Sequence, residues 1–304
     1  MKISVVMTPK KATYRHSVSV VINTLNEVKN LPRAVASVKD LASEIVVTDM
    51  GSTDGTIEVA RKLGAKVFSH KKLNYVEPAR NFAIGKAQGP WILILDADEE
   101  IPQNLVKKIK QIVGVPEADY YRLPRKNIIF GKWIEHTRWW PDYNIRFFKK
   151  GFVSWGDEIH SVPFTQGKGF DLPQKSDFAI THFNYEGIIQ YLERMLRYTE
   201  IESKELMKNG YVFSWRDLVR KPLGEFLGRY FAGQGYKDGV HGLALSLLQS
   251  FSELTLYLRV WETQGFSDQK ISRREISLEL GKSVKDLRWW IRKEFSWLRF
   301  LMSR

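Results

Sequence analysis

The sequence predicts an α/β protein: a mostly parallel sheet covered by helices on both faces, followed by a helical appendage. Three observations predict it. In the first third, short β-branched runs alternate with segments of helical apolar spacing, the pattern of parallel strands joined by crossover helices. Trp91 to Leu95 is an apolar run of strand length that ends abruptly in Asp96-Ala97-Asp98-Glu99-Glu100, as a strand buried on both faces does where it leaves the core. From Gly187 onward the strand signals stop and the spacing is helical.

Val18 to Ile22 reads as the first strand on its β-branched content. Lys29 to Val38 places Leu31, Ala34, Val35 and Val38 on one helical face. Glu44 to Thr48 is the second strand, Thr56 to Leu63 the second helix, and Ala65 to Phe68 a short third strand. Pro78 to Ala87 is the third helix, with proline near its start, where a missing N–H is tolerated. Residues 114–185 are rich in aromatics, Gly and Pro, with extended pieces at Asp119 to Leu123 and Ile145 to Lys149, so a mixed-sheet extension is expected there. Helices are expected over Ile188 to Lys208, Arg216 to Arg229 and Leu243 to Glu262. The expected organisation is a tail (1–17), an α/β domain (18–185, in halves 18–113 and 114–185) and a helical region (186–304).

Composition narrows the partners. The 304 residues contain no cysteine, which excludes disulfides, thiolate nucleophiles and Cys-based zinc sites. A formal net charge of +13 favours anionic partners. Nucleic acid is not expected, because no recognition motif accompanies the charge. Met1 to Ser17 lacks an apolar core followed by a small-residue cleavage site, so a signal peptide is not expected. Gly242 to Val260 is interrupted by Ser246, Gln249, Ser250, Ser252, Glu253 and Arg259 and does not read as a membrane span.

The chemistry-bearing residues stand at strand ends, where open α/β sheets bind ligands. Asp96 and Asp98 suit a hard divalent cation, Mg²⁺ or Mn²⁺, whose shell ligand phosphates would complete; the plain alternative is a solvated acidic turn capping a helix. The first strand runs into Asn23-Thr24-Leu25-Asn26-Glu27 and no GxGxxG follows it, which argues against a dinucleotide site. These polar groups can meet a base or ribose, or Asn23 or Asn26 can cap the next helix. The second strand ends in Asp49-Met50-Gly51-Ser52-Thr53-Asp54-Gly55-Thr56. There Asp49 reads as a ligand contact and Asp54 as mainly structural, with Asp54 or Thr53 able to cap the next helix. Arg80 suits a diphosphate, or a surface ion pair.

Val18-to-Glu27, Glu44-to-Thr56, Pro78-to-Ala83 and Trp91-to-Glu99, in this order and spacing, resemble the inverting glycosyltransferases of family 2. A closer resemblance is to the lipopolysaccharide core β-1,4-glucosyltransferase subfamily. It rests on Arg125-Lys126-Asn127, Gly131-Lys132-Trp133-Ile134, Trp140 to Phe148 and Gly156-Asp157-Glu158-Ile159-His160. The resemblance implies a GT-A fold, a Rossmann-like αβα sandwich, with Asp96-Ala97-Asp98 as its metal-binding DxD and Asp98 as the direct ligand. It places Thr24, Asn26, Glu27, Asp49, Arg80 and Asp96 by the nucleotide sugar, a UDP-hexose. The acceptor it implies is a saccharide or glycolipid of the cell envelope.

An inverting transfer also needs a general base on the acceptor hydroxyl. Relatives read Val-His-Glu where this chain has Ile159-His160-Ser161, so the base falls to Glu158 or Asp157, with His160 a base or metal ligand. The substitution also leaves open a catalytically degenerate, nucleotide-binding assembly protein. Trp140 and Arg146, in an aromatic and basic stretch, are expected to meet the acceptor, with core packing the alternative for the aromatics. Lys285 to Arg304 alternates Trp and basic groups and reads as an interfacial helix on the cytoplasmic face of the inner membrane, or as a helix docked on protein. The expected location is therefore cytoplasmic and peripheral to that membrane.

Overall fold

The computed structural model describes residues 17–71, 77–156 and 163–294. Its fold divides into two compact units, one of residues 1–127 and 141–184, the other of residues 128–140 and 185–304. The 114–185 stretch is thus shared between them.

The first unit is built on β1 (Val18–Thr24), β2 (Glu44–Asp49), β3 (Lys66–Ser69) and β4 (Trp91–Ile94). The strand β5 (Glu99–Glu100) follows, and then β6 (Tyr120–Leu123), β7 (Arg125–Ile129), β8 (Lys132–Trp133) and β9 (Asn144–Lys149). The remaining strands are β10 (Val153–Ser154), β11 (Phe164–Thr165), β12 (Gly169–Asp171) and β13 (Ile180–Tyr185). The main sheet has the order β12-β6-β9-β4-β1-β2-β3. β1 is parallel to β2 and β4, β2 to β3, and β12 to β6. β9 is antiparallel to both β4 and β6, so β9 alone runs against the others. Every residue of β1 is buried, which explains why its sequence is a continuous apolar run broken only by small polar groups.

Helices cover both faces, because β1 sends alternate residues each way. Val18, Val20 and Ile22 pack with Leu31, Ala34, Val35 and Val38 of α1 (Leu31–Val38) and with Ala60 of α2 (Thr56–Lys62). On the opposite face Val21 packs with Ala83 and Ile84 of α3 (Glu77–Lys86), and with Phe148 and Trp155. The helix α4 (Gln103–Gly114) was not foreseen; it buries Leu105, Val106, Ile109, Ile112 and Val113 against the first face. The parallel register sets Thr24 beside Asp49 and Asp49 beside Ser69, so these strand ends share one edge.

The second unit contains α5 (Ile188–Lys208), α6 (Asp217–Leu227), a π-helical turn at Gly228–Ala232, α7 (Val240–Thr263) and α8 (Arg273–Glu294). Tyr191, Met195 and Leu245 pack on Ile129 of β7 and on Ile134, which follows β8. The last helix starts at Arg273, well before the Lys285 expected from sequence. Among the described residues no helix is long and apolar enough to cross a membrane.

Candidate functional site

The carboxyl ends of β1 and β2 are stitched into one surface. The Thr24 hydroxyl donates to Asp49 Oδ1 (3.2 Å), and the backbone N–H groups of Gly51 and Ser52 donate to Asp49 Oδ2 (both 2.9 Å). Both Asp49 oxygens are therefore engaged within the turn, and the residue is 1% exposed. Asn26 has a left-handed φ of 59°. Its backbone N–H donates to Ser52 Oγ and its side-chain oxygen accepts from the Thr53 N–H. Glu27 donates its N–H to Thr56 Oγ1 and accepts from Asn30 Nδ2. Asp54 accepts from Val28 N–H and from Thr56 N–H, tying the turn ahead of α2, whose N-cap is Gly55 without a side-chain cap. Asn23, 8% exposed, has no hydrogen-bond partner for either amide atom among the described residues, nor has the hydroxyl of its parallel neighbour Thr48. A buried amide left in this state is costly unless something else meets it.

Beyond β4, the acidic run is the centre of a buried ion network. Arg146 Nη2 donates to Asp96 Oδ2 at 2.6 Å and to Glu99 Oε1 at 2.8 Å. Arg80 Nη2 reaches Asp96 Oδ1 at 3.1 Å. Glu99, fully buried, accepts the Asp96 backbone N–H on its other oxygen (2.9 Å). Burial would raise the Asp96 carboxyl, but Arg146 and Arg80 outweigh it and hold it far below the usual carboxylate range. Burial likewise opposes the charge on Arg146, and Asp96 and Glu99 overcome it and raise the guanidinium. Arg125 links Glu99 (3.3 Å) to Asp142 (2.6 Å). α3 adds a second tie: Asn81 donates to the Trp155 carbonyl (2.7 Å) and accepts the Trp155 N–H (2.9 Å).

The network ends at Asp98. Asn127 Nδ2 donates to Asp142 Oδ2 (3.1 Å). A carboxylate only accepts, so Asn127 presents its oxygen to His182 Nδ1, at 2.7 Å. That oxygen also only accepts, so Nδ1 carries the proton. His182 Nε2 then faces Asp98 Oδ2 at 3.3 Å, with side chains 7% and 18% exposed. A lone pair facing a carboxylate calls for a proton or a cation between them. The donor set, one imidazole and one carboxylate, suits Mn²⁺ well and Mg²⁺ less well. Asp96, with both oxygens on guanidiniums, does not fit direct ligation. Among the described residues no three His, Asp or Glu side chains gather as a metal site, so other ligands would have to fill the shell.

The structure thus brings together Thr24, Asn26, Glu27 and Asp49 at one edge, and Arg80, Asp96, Asp98 and Arg146 in one network. Trp140 belongs to the second unit, where its ring meets Trp133 edge-on at 5.3 Å. Asp157, Glu158 and His160 lie outside the described residues. Sequence reasoning missed Glu99, Arg125, Asn127, Asp142 and His182. Glu99 stood in the acidic run, and Arg125, Asn127 and Asp142 stood in quoted motifs, but nothing local marked His182.

Residues 19–167 match the family described as glycosyl transferase family 2. An uncharacterized glycosyltransferase of Rickettsia typhi is 30% identical over 77% of this chain and 83% of its own length. The lipopolysaccharide core biosynthesis glycosyltransferase LpsC of Rhizobium meliloti is 22% identical over 74% of this chain and 84% of its own. Among solved structures, the mannosyltransferase PcManGT from Pyrobaculum calidifontis, in complex with GDP-Man and Mn²⁺, overlaps 89% of this chain and 80% of its own at a TM-score of 0.44 and 14% identity.

Proposed function

The chain belongs to glycosyltransferase family 2, and from that premise we propose that it transfers a hexose, with inversion, from a UDP-sugar to a saccharide or lipid-linked acceptor of the cell envelope. The observation that carries this reading is the Asp98–His182 pair, its tautomer fixed by Asn127, beside the stitched ends of β1 and β2. Asp98 and His182 hold Mn²⁺ or Mg²⁺. When bound, that ion supplies Lewis-acid stabilisation of charge on the leaving diphosphate. Arg80 adds a guanidinium suited to the same diphosphate. Asp96, clamped by two arginines, is a rigid acceptor for donor hydroxyls. The Thr24–Glu27 and Asp49 turns, with the unmet amide of Asn23, receive the nucleotide. Glu158 deprotonates the acceptor, with Asp157 its alternate, and His160 is a further metal ligand. The lipopolysaccharide core role is supported by the 125–160 motifs and by the relative LpsC. It implies work at the cytoplasmic face of the inner membrane.

The test is UDP release across a panel of nucleotide sugars, with Mn²⁺, with Mg²⁺ and with chelator. Release expected with a UDP-hexose should vanish with chelator and in Asp98→Ala. Full activity of that variant in chelator would end the reading. The substitution of Ile159-His160-Ser161 for Val-His-Glu favours a second reading, a degenerate nucleotide-binding assembly protein. It requires UDP binding without release from any UDP-sugar, membranes included.

A further inference from the structure

The helix α8 sorts its charges. Its acids face inward: Glu275 accepts from Arg216 (2.8 Å), Glu279 pairs with Arg220, and Glu294 accepts from the Tyr236 hydroxyl (3.2 Å). Trp290 stacks on Phe231 on the same side. Its bases face outward. Arg273, Arg274, Lys282, Lys285, Arg288, Arg292 and Lys293 are all exposed, and Asp286 is the one exposed acid among them. Lys282 reaches Glu279 at 4.0 Å and Lys293 lies over the Trp289 and Trp290 rings; the other five have no ion-pair partner among the described residues.

Between the packed side and the basic side runs an aliphatic line. Ile276, Leu280 and Val284 are 41%, 50% and 45% exposed, and half-buried Leu287 and Ile291 continue their spacing. Lys285, Arg288 and Arg292, at i, i+3 and i+7, form the neighbouring line. An exposed apolar line flanked by bases fits an interface between water and anionic lipid, where aliphatic groups enter the acyl boundary and bases meet phosphates. A second copy would bring like charge against like charge. Nucleic acid would leave the aliphatic line in water.

We propose that the outward face of α8 is a docking surface for anionic phospholipid. This deepens the membrane part of the functional reading by naming the surface, and it does not depend on the chemistry of transfer. The surface begins a full three turns before the basic tail noted in the sequence.

The test is sedimentation of the full chain with vesicles of phosphatidylcholine, alone or mixed with phosphatidylglycerol, without nucleotide. Binding is expected to the mixed vesicles only, and to weaken as salt rises. Combining Lys285→Gln, Arg288→Gln and Arg292→Gln should weaken it about 100-fold, at roughly 1 kcal/mol per basic group, with unchanged far-UV circular dichroism. Leu280→Ser with Val284→Ser should weaken it while leaving its salt dependence. No binding, equal binding to both vesicles, or a triple variant within twofold of wild type overturns the proposal. Retention on polyglutamate without vesicle binding does so too, and assigns the face to an acidic protein. UDP release measured without vesicles reports the transferase reading alone, so the two fail separately.

Discussion

His182 Nε2 points at Asp98 Oδ2 across 3.3 Å while Asn127 holds the opposite ring nitrogen at 2.7 Å. An orienting partner of this kind fixes the tautomer of a metal-ligating histidine, and its loss typically costs 10–100-fold in metal affinity. Asn127→Ala is therefore expected to weaken Mn²⁺ binding about 10–100-fold in the presence of UDP, and His182→Ala to weaken it further. Titration calorimetry or Mn²⁺ electron resonance reads this without turnover. Unchanged Mn²⁺ affinity in His182→Ala would show that the pair is a structural ion pair.

Arg146 satisfies two carboxylates with one nitrogen, half-buried Asp96 at 2.6 Å and fully buried Glu99 at 2.8 Å. Removing it leaves Asp96 with Arg80 and Glu99 with Arg125, so the cost is a part of the roughly 3–5 kcal/mol seen when a buried pair is broken outright. Arg146→Met is expected to lower the free energy of unfolding by part of that amount, and the urea midpoint with it. If Arg146 instead serves only an acceptor outside this network, the variant will unfold at the wild-type midpoint.

This second case shows what the sequence could reveal. The strands β1, β2 and β4 were legible because burial on both faces writes itself into a local apolar run. Asp96 and Asp98 were legible because charge begins where that run stops. Arg146 was placed by sequence at the acceptor, whereas its position against Asp96 follows from the antiparallel pairing of β9 with β4, which no local pattern encodes. His182 comes to Asp98 the same way, through the pairing of β13 with β5. The helix α4 escaped notice because Pro102 precedes it and no side chain caps its start, so the usual entry signal was missing.

Asp142 carries a pH dependence. Burial would raise its carboxyl, but Arg125, Asn127 and Asn144 outweigh that and hold it below the ordinary value. A carboxylate with a depressed folded pKa contributes stability above its unfolded value of about 3.9 and loses it as pH falls further. Urea stability should therefore drop as pH falls below about 4, and Asp142→Asn should flatten part of that slope while lowering the neutral-pH midpoint. Parallel slopes for variant and wild type would remove Asp142 from the acid transition.

Two glycines in the helical unit should respond in opposite directions to alanine. A Cβ on Gly242, in α7, would strike the carbonyl of Gly235, and Asp238 crowds the same side. Overpacking of this kind costs about 1–3 kcal/mol. Gly281, inside α8, has nothing within 4 Å of such a Cβ, and its substitution gains about 0.5–1 kcal/mol of helix propensity. Thermal unfolding followed by circular dichroism should show Gly242→Ala melting lower and Gly281→Ala level with or above wild type. A destabilised Gly281→Ala would mean that the outward face of α8 is covered in the folded chain, and the lipid-facing assignment would fall with it.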